Sequence, residues 1–285
     1  MSMIDLKSLP PPAVVEELDF EALVTVHKQD LLQRQPSAAN VLALPSEPLV
    51  KQVEAFAYRE MLLRGRVNDA ARANLLAFAT GTDLDHKGAF YNLARMPGEA
   101  DDRYRNRIQL RIAALAGNGT AEQYRLLALS ASANVRDANL TSGLNNGAPG
   151  TVNVVLWLID ASQAQATSAA VLAAMNAPNA RPLGVSVTVA VARPVALNVT
   201  ATLWREASAP ADIVTKITAS FMASLATYAS LGRSVPLSWV TAQLQQPGIA
   251  RVEFPIAGQP ASNTVLAADE YAVAGAITLT DGGVA

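Results

Sequence analysis

The sequence contains no cysteine. That excludes disulfides, thiolate metal centres and cysteine nucleophiles, and it fits a reducing compartment. Histidine occurs only twice, as His27 and His86, so imidazole chemistry has few candidates. Charge is also sparse. Asp, Glu, Lys and Arg together make up 16% of the residues, against about 25% in an ordinary soluble domain. The two signs nearly cancel, with 22 basic and 24 acidic side chains and a net charge of -2. The broad positive field that drives nucleic-acid binding is therefore missing, and no nucleic-acid partner is expected. Long apolar runs are absent as well. The longest candidate, 152–159, is strand length, far short of the ~18 residues of a membrane helix. The opening Met1-Ser2-Met3-Ile4-Asp5-Leu6-Lys7 has no basic run before an apolar block, so neither a secretory leader nor membrane insertion is expected.

What fills the deficit is Ala, Val, Leu, Ser and Thr, in a chain that is 51% hydrophobic over 285 residues. That length is ample for two or more structural units. A surface short of charge suits a protein that buries much of itself against neighbours.

The first half carries helical spacing. After the stiff lead-in Leu9-Pro10-Pro11-Pro12, the residues Val14, Val15, Leu18, Leu23, Val24, Leu31 and Leu32 recur at roughly helical intervals until Gln35-Pro36. Glu16, Glu17 and Asp19 suit the positive end of that helix. Ser46-Glu47-Pro48 opens the strongest element, with Ser46 as expected cap and Pro48 tolerated in the first turn. Leu49, Val53, Phe56, Leu63 and Val67 give it an apolar seam, Glu60 and Arg64 pair at i,i+4, and Gly81 is the expected stop. Run to Ala79, this helix would span about 45 Å, long enough to pack outside its own domain. A short helix is expected over 83–95. A charged helix start holds Asp101, Asp102, Arg103, Arg105, Arg107 and Arg111, and a helix over 121–130 is capped by Thr120.

The second half changes period. Strands are expected at 151–160, 185–191, 197–203, 249–254 and 276–280. Helices are expected over 164–176, from Pro210 through Ile213, Ile217, Phe221, Leu225 and Tyr228, and over 236–246. The order strand, helix, strand occurs twice. The reading is an α+β chain: a helical N-terminal half with a long helix, followed by two small α+β units. The expected divisions are 1–80, a helical bundle-forming segment; 81–144, a helical domain; and the α+β units 145–192 and 193–285. The loop Gly143-Leu144-Asn145-Asn146-Gly147-Ala148-Pro149-Gly150 is expected to join two of these.

Few constellations invite chemistry. Asp83, Asp85 and His86 fall within four residues, but ligands must converge from separate elements with a supporting shell. On a helix Asp83 and His86 share a face and Asp85 does not, so helix-start polarity is the expected role. Gly117-Asn118-Gly119-Thr120 lacks the Gly-Lys-Ser/Thr ending of a phosphate loop and reads as a linker. Arg103, Arg105, Arg107 and Arg111 alternate with acids and apolar positions, and salt bridges between subunits are their expected use. No serine lies in a nucleophile-elbow context. No catalytic residue, cofactor site or metal site is assigned.

Several segments together resemble a known family. The opening Leu9-Pro10-Pro11-Pro12-Ala13-Val14-Val15-Glu16-Glu17-Leu18-Asp19-Phe20-Glu21 is similar to the start of the baseplate J-like proteins of contractile-tailed phages. Ser46-Glu47-Pro48-Leu49-Val50-Lys51, Tyr58-Arg59-Glu60 and Arg66-Val67-Asn68-Asp69-Ala70-Ala71 resemble that family's long helix. Ala77-Phe78-Ala79-Thr80-Gly81-Thr82-Asp83-Leu84-Asp85 resembles its helix end, while Gly232-Arg233 and Pro247-Gly248-Ile249-Ala250-Arg251-Val252 resemble its closing segment.

The resemblance implies a non-enzymatic virion component that builds wedges around the hub of a contractile tail or a tail-like bacteriocin. The implied partners are copies of itself, adjacent wedges, a smaller I-type baseplate protein and a sheath-initiating protein. Assembly in the bacterial cytoplasm is implied. Leu49, Val53, Phe56, Leu63 and Val67 are the expected interface residues. Two other readings are a cytoplasmic adaptor built of α+β units, and a metalloprotein using Asp83, Asp85 and His86.

Overall fold

The computed structural model describes every residue except 1–5, 11, 116, 144–147, 179 and 256–259. The chain divides into two compact units, Met1–Gln109 and Leu110–Ala285. The described residues form a helical first part with one long helix and two small three-stranded sheets after it, an α+β chain as expected.

In the first unit, helix α1 (Phe20–Arg34) begins later than its apolar spacing indicates. Asp19 accounts for the start. Its Oδ1 accepts hydrogen bonds from the Glu21 and Ala22 amides at 2.9 and 3.2 Å, so the free N–H groups of the first turn are satisfied there. Upstream the backbone is engaged elsewhere. Asn68 accepts from the Glu16 amide at 3.0 Å and donates to the Glu16 carbonyl at 2.8 Å. Residues 14–18, expected to be helical, instead leave a turn at Val14 and a bend at Val15 and continue as non-helical chain, bonded at Glu16 by that side chain. A four-residue helix α2 (Ala39–Leu42) leads to the long helix α3 (Pro48–Ala73), 26 residues or about 39 Å. Pro48 occupies the first turn, but Glu47 and not Ser46 stands at the cap, without a side-chain bond. The helix stops six residues short of Ala79. Asn74 donates to the Ala70 carbonyl at 3.1 Å and ends the ladder, which lets Leu76 and Ala79 turn inward against Tyr104 and Ile108. Gly81 opens α4 (Gly81–Phe90), with a left-handed φ of 51°, rather than closing α3.

Helix α5 (Asp101–Ala114) spans the boundary of the two units. In the second unit, α6 (Ala121–Ala131) starts where expected, with Thr120 Oγ1 accepting from the Gln123 amide at 3.2 Å. Gln123 in turn accepts from the Gly119 amide. The Gly117–Thr120 stretch is thus a helix start whose donors are satisfied by its own chain.

Strands β1 (Val135–Ser142) and β2 (Thr151–Leu158) pair antiparallel, and α7 (Ala164–Met175) carries the chain to β3 (Ser186–Val191), parallel to β2. β1 was not expected. It also changes the meaning of 143–150, which connects two strands of one sheet, Thr141 opposite Asn153, rather than two units. Residues 144–147 of that loop lie outside the described residues.

The second sheet has the order β5-β4-β6. β4 (Arg193–Arg205) runs antiparallel to β5 (Ile249–Glu253) and parallel to β6 (Glu270–Val284). Between β4 and β5 lie α8 (Ile213–Tyr228) and α9 (Leu237–Leu244). Ile213, Ile217, Phe221 and Leu225, four apart on one face of α8, are buried against the alternating Leu197, Val199, Ala201 and Leu203 of β4. The two sheets are tied within this unit. Trp157 stacks on Tyr271 at 4.5 Å, and Asn139 Nδ2 donates to the Ala268 carbonyl at 3.0 Å.

Candidate assembly interface

The long helix α3 carries two apolar stripes with different fates. Val50, Val53 and Ala57 are buried and pack with Val24 of α1, Ala38 and Leu42. Phe56, Leu63 and Val67 are 66%, 66% and 50% exposed. The five expected interface residues are therefore divided. Val53 is buried in its own unit, Leu49 is partly buried against the same cluster, and Phe56, Leu63 and Val67 point to solvent. Tyr58 and Leu62, at 50% and 51%, extend the exposed apolar surface. An apolar surface of the first unit is thus left open to solvent. Where α1 meets α3, an open groove of about 440 Å³ has Leu31, Leu49, Val53 and Phe56 in its lining.

The charge beside this stripe is largely paired within the unit. Glu60 accepts from Arg64 at 2.8 Å and lies 2.8 Å from His27 Nε2. Arg64 also donates to Glu16 at 2.7 Å. The hydrogen bond from Arg64 holds the Glu60 carboxyl below its usual range; burial opposes it, and the charges of Arg64 and His27 add to the lowering. Bonds to Glu16 and Glu60 hold the Arg64 guanidinium above its own.

A second cluster holds the end of the first unit together. The Glu99 side chain is fully buried and accepts from Arg103, from Arg107 Nη1 at 2.6 Å and from the Met96 amide at 2.9 Å. Arg105 donates to the Leu76 and Ala79 carbonyls at 2.8 and 2.7 Å and to Asp102 at 2.6 Å. Arg95 reaches Asp85 and Asp101, both at 2.6 Å, and lies 4.7 Å from the centre of the Tyr104 ring. The expectation that Arg103, Arg105 and Arg107 reach other subunits is corrected. Their guanidinium groups bond carboxylates and carbonyls of their own unit, because Glu99 and the chain reversal at 76–79 bring buried acceptors within reach. These bonds tie the turn at 76–79, α4 and α5 to one another.

The same cluster decides the metal reading. Asp85 turns to Arg95 at 2.6 Å. Asp83 and His86 line an open surface groove together with Asp69 and the cations Arg66 and Lys87, a lining of balanced charge. Among the described residues no three His, Asp or Glu side chains converge as a metal site. Also among them, no helix is long and apolar enough to cross a membrane.

Comparison with known proteins agrees with this geometry. Residues 45–102, which contain α3 and most of the ion-pair knot, match the baseplate J-like N-terminal domain. The chain is 37% identical to baseplate protein J of Escherichia phage P2, over 89% of this chain and 90% of that one. By that match along nearly its whole length, the chain belongs to the baseplate J-like family.

Proposed function

We propose that the chain is a structural wedge component of a contractile phage-tail baseplate, or of a related tail-like bacteriocin, and works without catalysis. The observation that carries this reading is the exposed stripe Phe56, Leu63 and Val67 on a 26-residue helix, inside the segment that matches the family domain. A helix of this length with one face packed in its own unit and a second apolar face open is built to join a bundle.

In this reading the segment 1–80 forms the bundle with helices of neighbouring chains, and the helices that follow support it. The two α+β units, one for each sheet and the first including β1, meet equivalent units of adjacent wedges in a ring around the hub. The partners are copies of the chain, a smaller I-type baseplate protein and a sheath-initiating protein. Assembly takes place in the bacterial cytoplasm and the product is part of the particle.

The test is incorporation. The chain with Phe56→Ser and Leu63→Ser should fold, be made in normal amounts and be missing from purified tail particles, with sheaths failing to assemble. A variant that enters particles as well as the parent, or tails that are complete without the chain, would overturn the proposal. A chain that stays monomeric when co-expressed with the smaller baseplate protein would favour an adaptor instead.

A further inference from the structure

We infer that Asn118 is a covalent modification site, which deamidates through a cyclic imide, and that the Gln123 side chain sets the rate. This chemistry is independent of the assembly role proposed above.

The reaction needs an asparagine side chain and an unobstructed main-chain amide directly after it. The nitrogen of the following residue loses its proton and attacks the asparagine Cγ. Ammonia leaves, and a five-membered imide joins side chain to main chain. Water then opens the ring at either carbonyl. The product is aspartate, or isoaspartate, in which the main chain runs through the side-chain carbon. Glycine in the following position obstructs the attack least, because it has no Cβ. The chain has two Asn-Gly pairs, Asn118-Gly119 and Asn146-Gly147. The second lies outside the described residues.

Asn118 and Gly119 are exposed, in the link between α5 and α6. The fold requires glycine at 119 on two counts. Its φ is 87°, in the left-handed region. A Cβ there would also come within 2.8 Å of Pro182 Cγ. The fold that demands this glycine therefore leaves Asn118 beside an unhindered amide.

One side chain stands against the reaction. The Gly119 N–H donates to Gln123 Oε1, so the proton that must leave is held. Gln123 is placed by α6, three residues after the Thr120 cap, and its Nε2 donates to the Ala180 carbonyl at 3.0 Å. The same Nε2 lies 3.4 Å from Asn118 Oδ1. A donor there favours attack by steadying the charge that builds on that oxygen, but 3.4 Å is long for an N–H···O bond. The held proton decides the sign, and Gln123 slows the reaction. Losing one hydrogen bond of ordinary strength corresponds to a reaction about three- to tenfold faster.

The two products differ in consequence. Aspartate at 118 adds a carboxylate ahead of α6, where the helix dipole favours it. Isoaspartate inserts a carbon into the backbone next to the amide that Gln123 holds, and so disturbs the start of α6.

Peptide mapping of the full chain tests this. The protein is incubated in warm, mildly alkaline buffer and digested with trypsin. Fragment 112–125 holds Asn118 as its single asparagine, and mass spectrometry follows the exchange of its amide for a carboxyl. We expect slow conversion in the parent and about three- to tenfold faster conversion in Gln123→Ala. Gln123→Glu should stay as slow as the parent, since a carboxylate accepts the same amide bond although it cannot donate to Ala180. In urea the parent and Gln123→Ala should share one rate, faster than that of the folded parent. A Gln123→Ala rate no higher than the parent's, a Gln123→Glu rate matching that of Gln123→Ala, no acceleration of the parent in urea, or no conversion at 118 in any folded chain would each overturn the inference.

Discussion

Removing the Glu99 carboxylate should unfold the first unit far more readily than its position near a chain reversal implies. The side chain is fully buried, and its two cationic partners, Arg103 and Arg107, are themselves only 16% and 4% exposed. In Glu99→Ala both guanidinium groups lose their shared carboxylate, and the Met96 amide loses its acceptor. Breaking a buried pair from one side costs about 3–5 kcal/mol, mostly because a charge is left without a partner. Against a total stability of about 5–15 kcal/mol, that is a large share. At a slope near 2 kcal/mol/M in urea it corresponds to a midpoint about 2 M lower. The three tryptophans, Trp157, Trp204 and Trp239, all lie in the second unit. Tryptophan fluorescence therefore reports the second unit, while far-UV circular dichroism at 222 nm reports the helices of both. The part of the dichroism transition that fluorescence does not follow belongs to the first unit and should move by the stated amount. Replacing the cluster at once, with Glu99→Leu, Arg103→Leu and Arg107→Met, should recover most of the loss, because no charge is then stranded. A Glu99→Ala midpoint within about 0.5 M of the parent would refute the reasoning.

Three further outcomes can be measured on the same protein. Gly88→Ala should destabilise the first unit by about 1–3 kcal/mol, since a Cβ there would overlap the Tyr104 hydroxyl and the Leu93 carbonyl, which are joined by a 2.6 Å hydrogen bond; unchanged urea denaturation would contradict this. Phe221→Ala should cost about 3–5 kcal/mol and should be read by tryptophan fluorescence, because Phe221 is fully buried with its ring 5.9 Å from that of Trp239. The bond from the Gly81 amide, and after it Arg95, hold the Asp101 carboxyl below its usual range. A depressed carboxylate contributes stability that is present above its unfolded value of about 3.9 and is lost as pH falls through the folded value. Asp101→Asn should therefore be less stable than the parent near pH 7, and the gap should narrow as pH falls below about 3.9; a gap that does not change with pH would place the effect outside the ionised carboxylate.

Much of the fold can be read from apolar spacing, and the exceptions have local causes. The α8 face Ile213, Ile217, Phe221 and Leu225 and the alternation of β3 are where their periods put them. β1 has no such period. Its Arg136, Asp137 and Asn139 are poor strand formers, and pairing with β2 rather than intrinsic preference makes it a strand. β6 runs to 15 residues although only 276–280 reads as a strand, because Ala272, Ala274, Gly275 and Ala276 give no contrast between faces until β4 lies beside them. The interface is half visible. Helical spacing groups Leu49, Val53, Phe56, Leu63 and Val67, but it cannot say which of them α1 will cover. Residue size carries part of that signal, with the partly buried Leu49 and the exposed Val67 departing from it. The face packed within the unit uses the smaller Val50, Val53, Ala57 and Asn68, which admit close approach, while the bulkier Phe56, Tyr58, Leu62 and Leu63 lie outside it.

This division gives α3 a thermodynamic signature that distinguishes an interface from a core. A core phenylalanine or leucine cut to a small residue loses about 2–5 kcal/mol through lost burial and the cavity left behind. Phe56 and Leu63 already have about two thirds of their surface in water, so Phe56→Ser and Leu63→Ser forfeit little burial within the chain. Each should change the unfolding free energy by no more than about 0.5 kcal/mol, as surface substitutions do. The isolated parent should self-associate without a fixed stoichiometry as its concentration rises, since a charge-poor surface does little to keep such a patch apart from others. The double variant should stay soluble and monomeric under the same conditions. Residues that are cheap to replace in the free chain and indispensable in the particle owe their apolar character to a partner. Val53, buried against α1, supplies the internal control: Val53→Ser should lower the denaturation midpoint before any question of assembly arises. Equal losses of stability at Val53, Phe56 and Leu63 would show that all three serve one core, and the open stripe of α3 would then have no claim to be an interface.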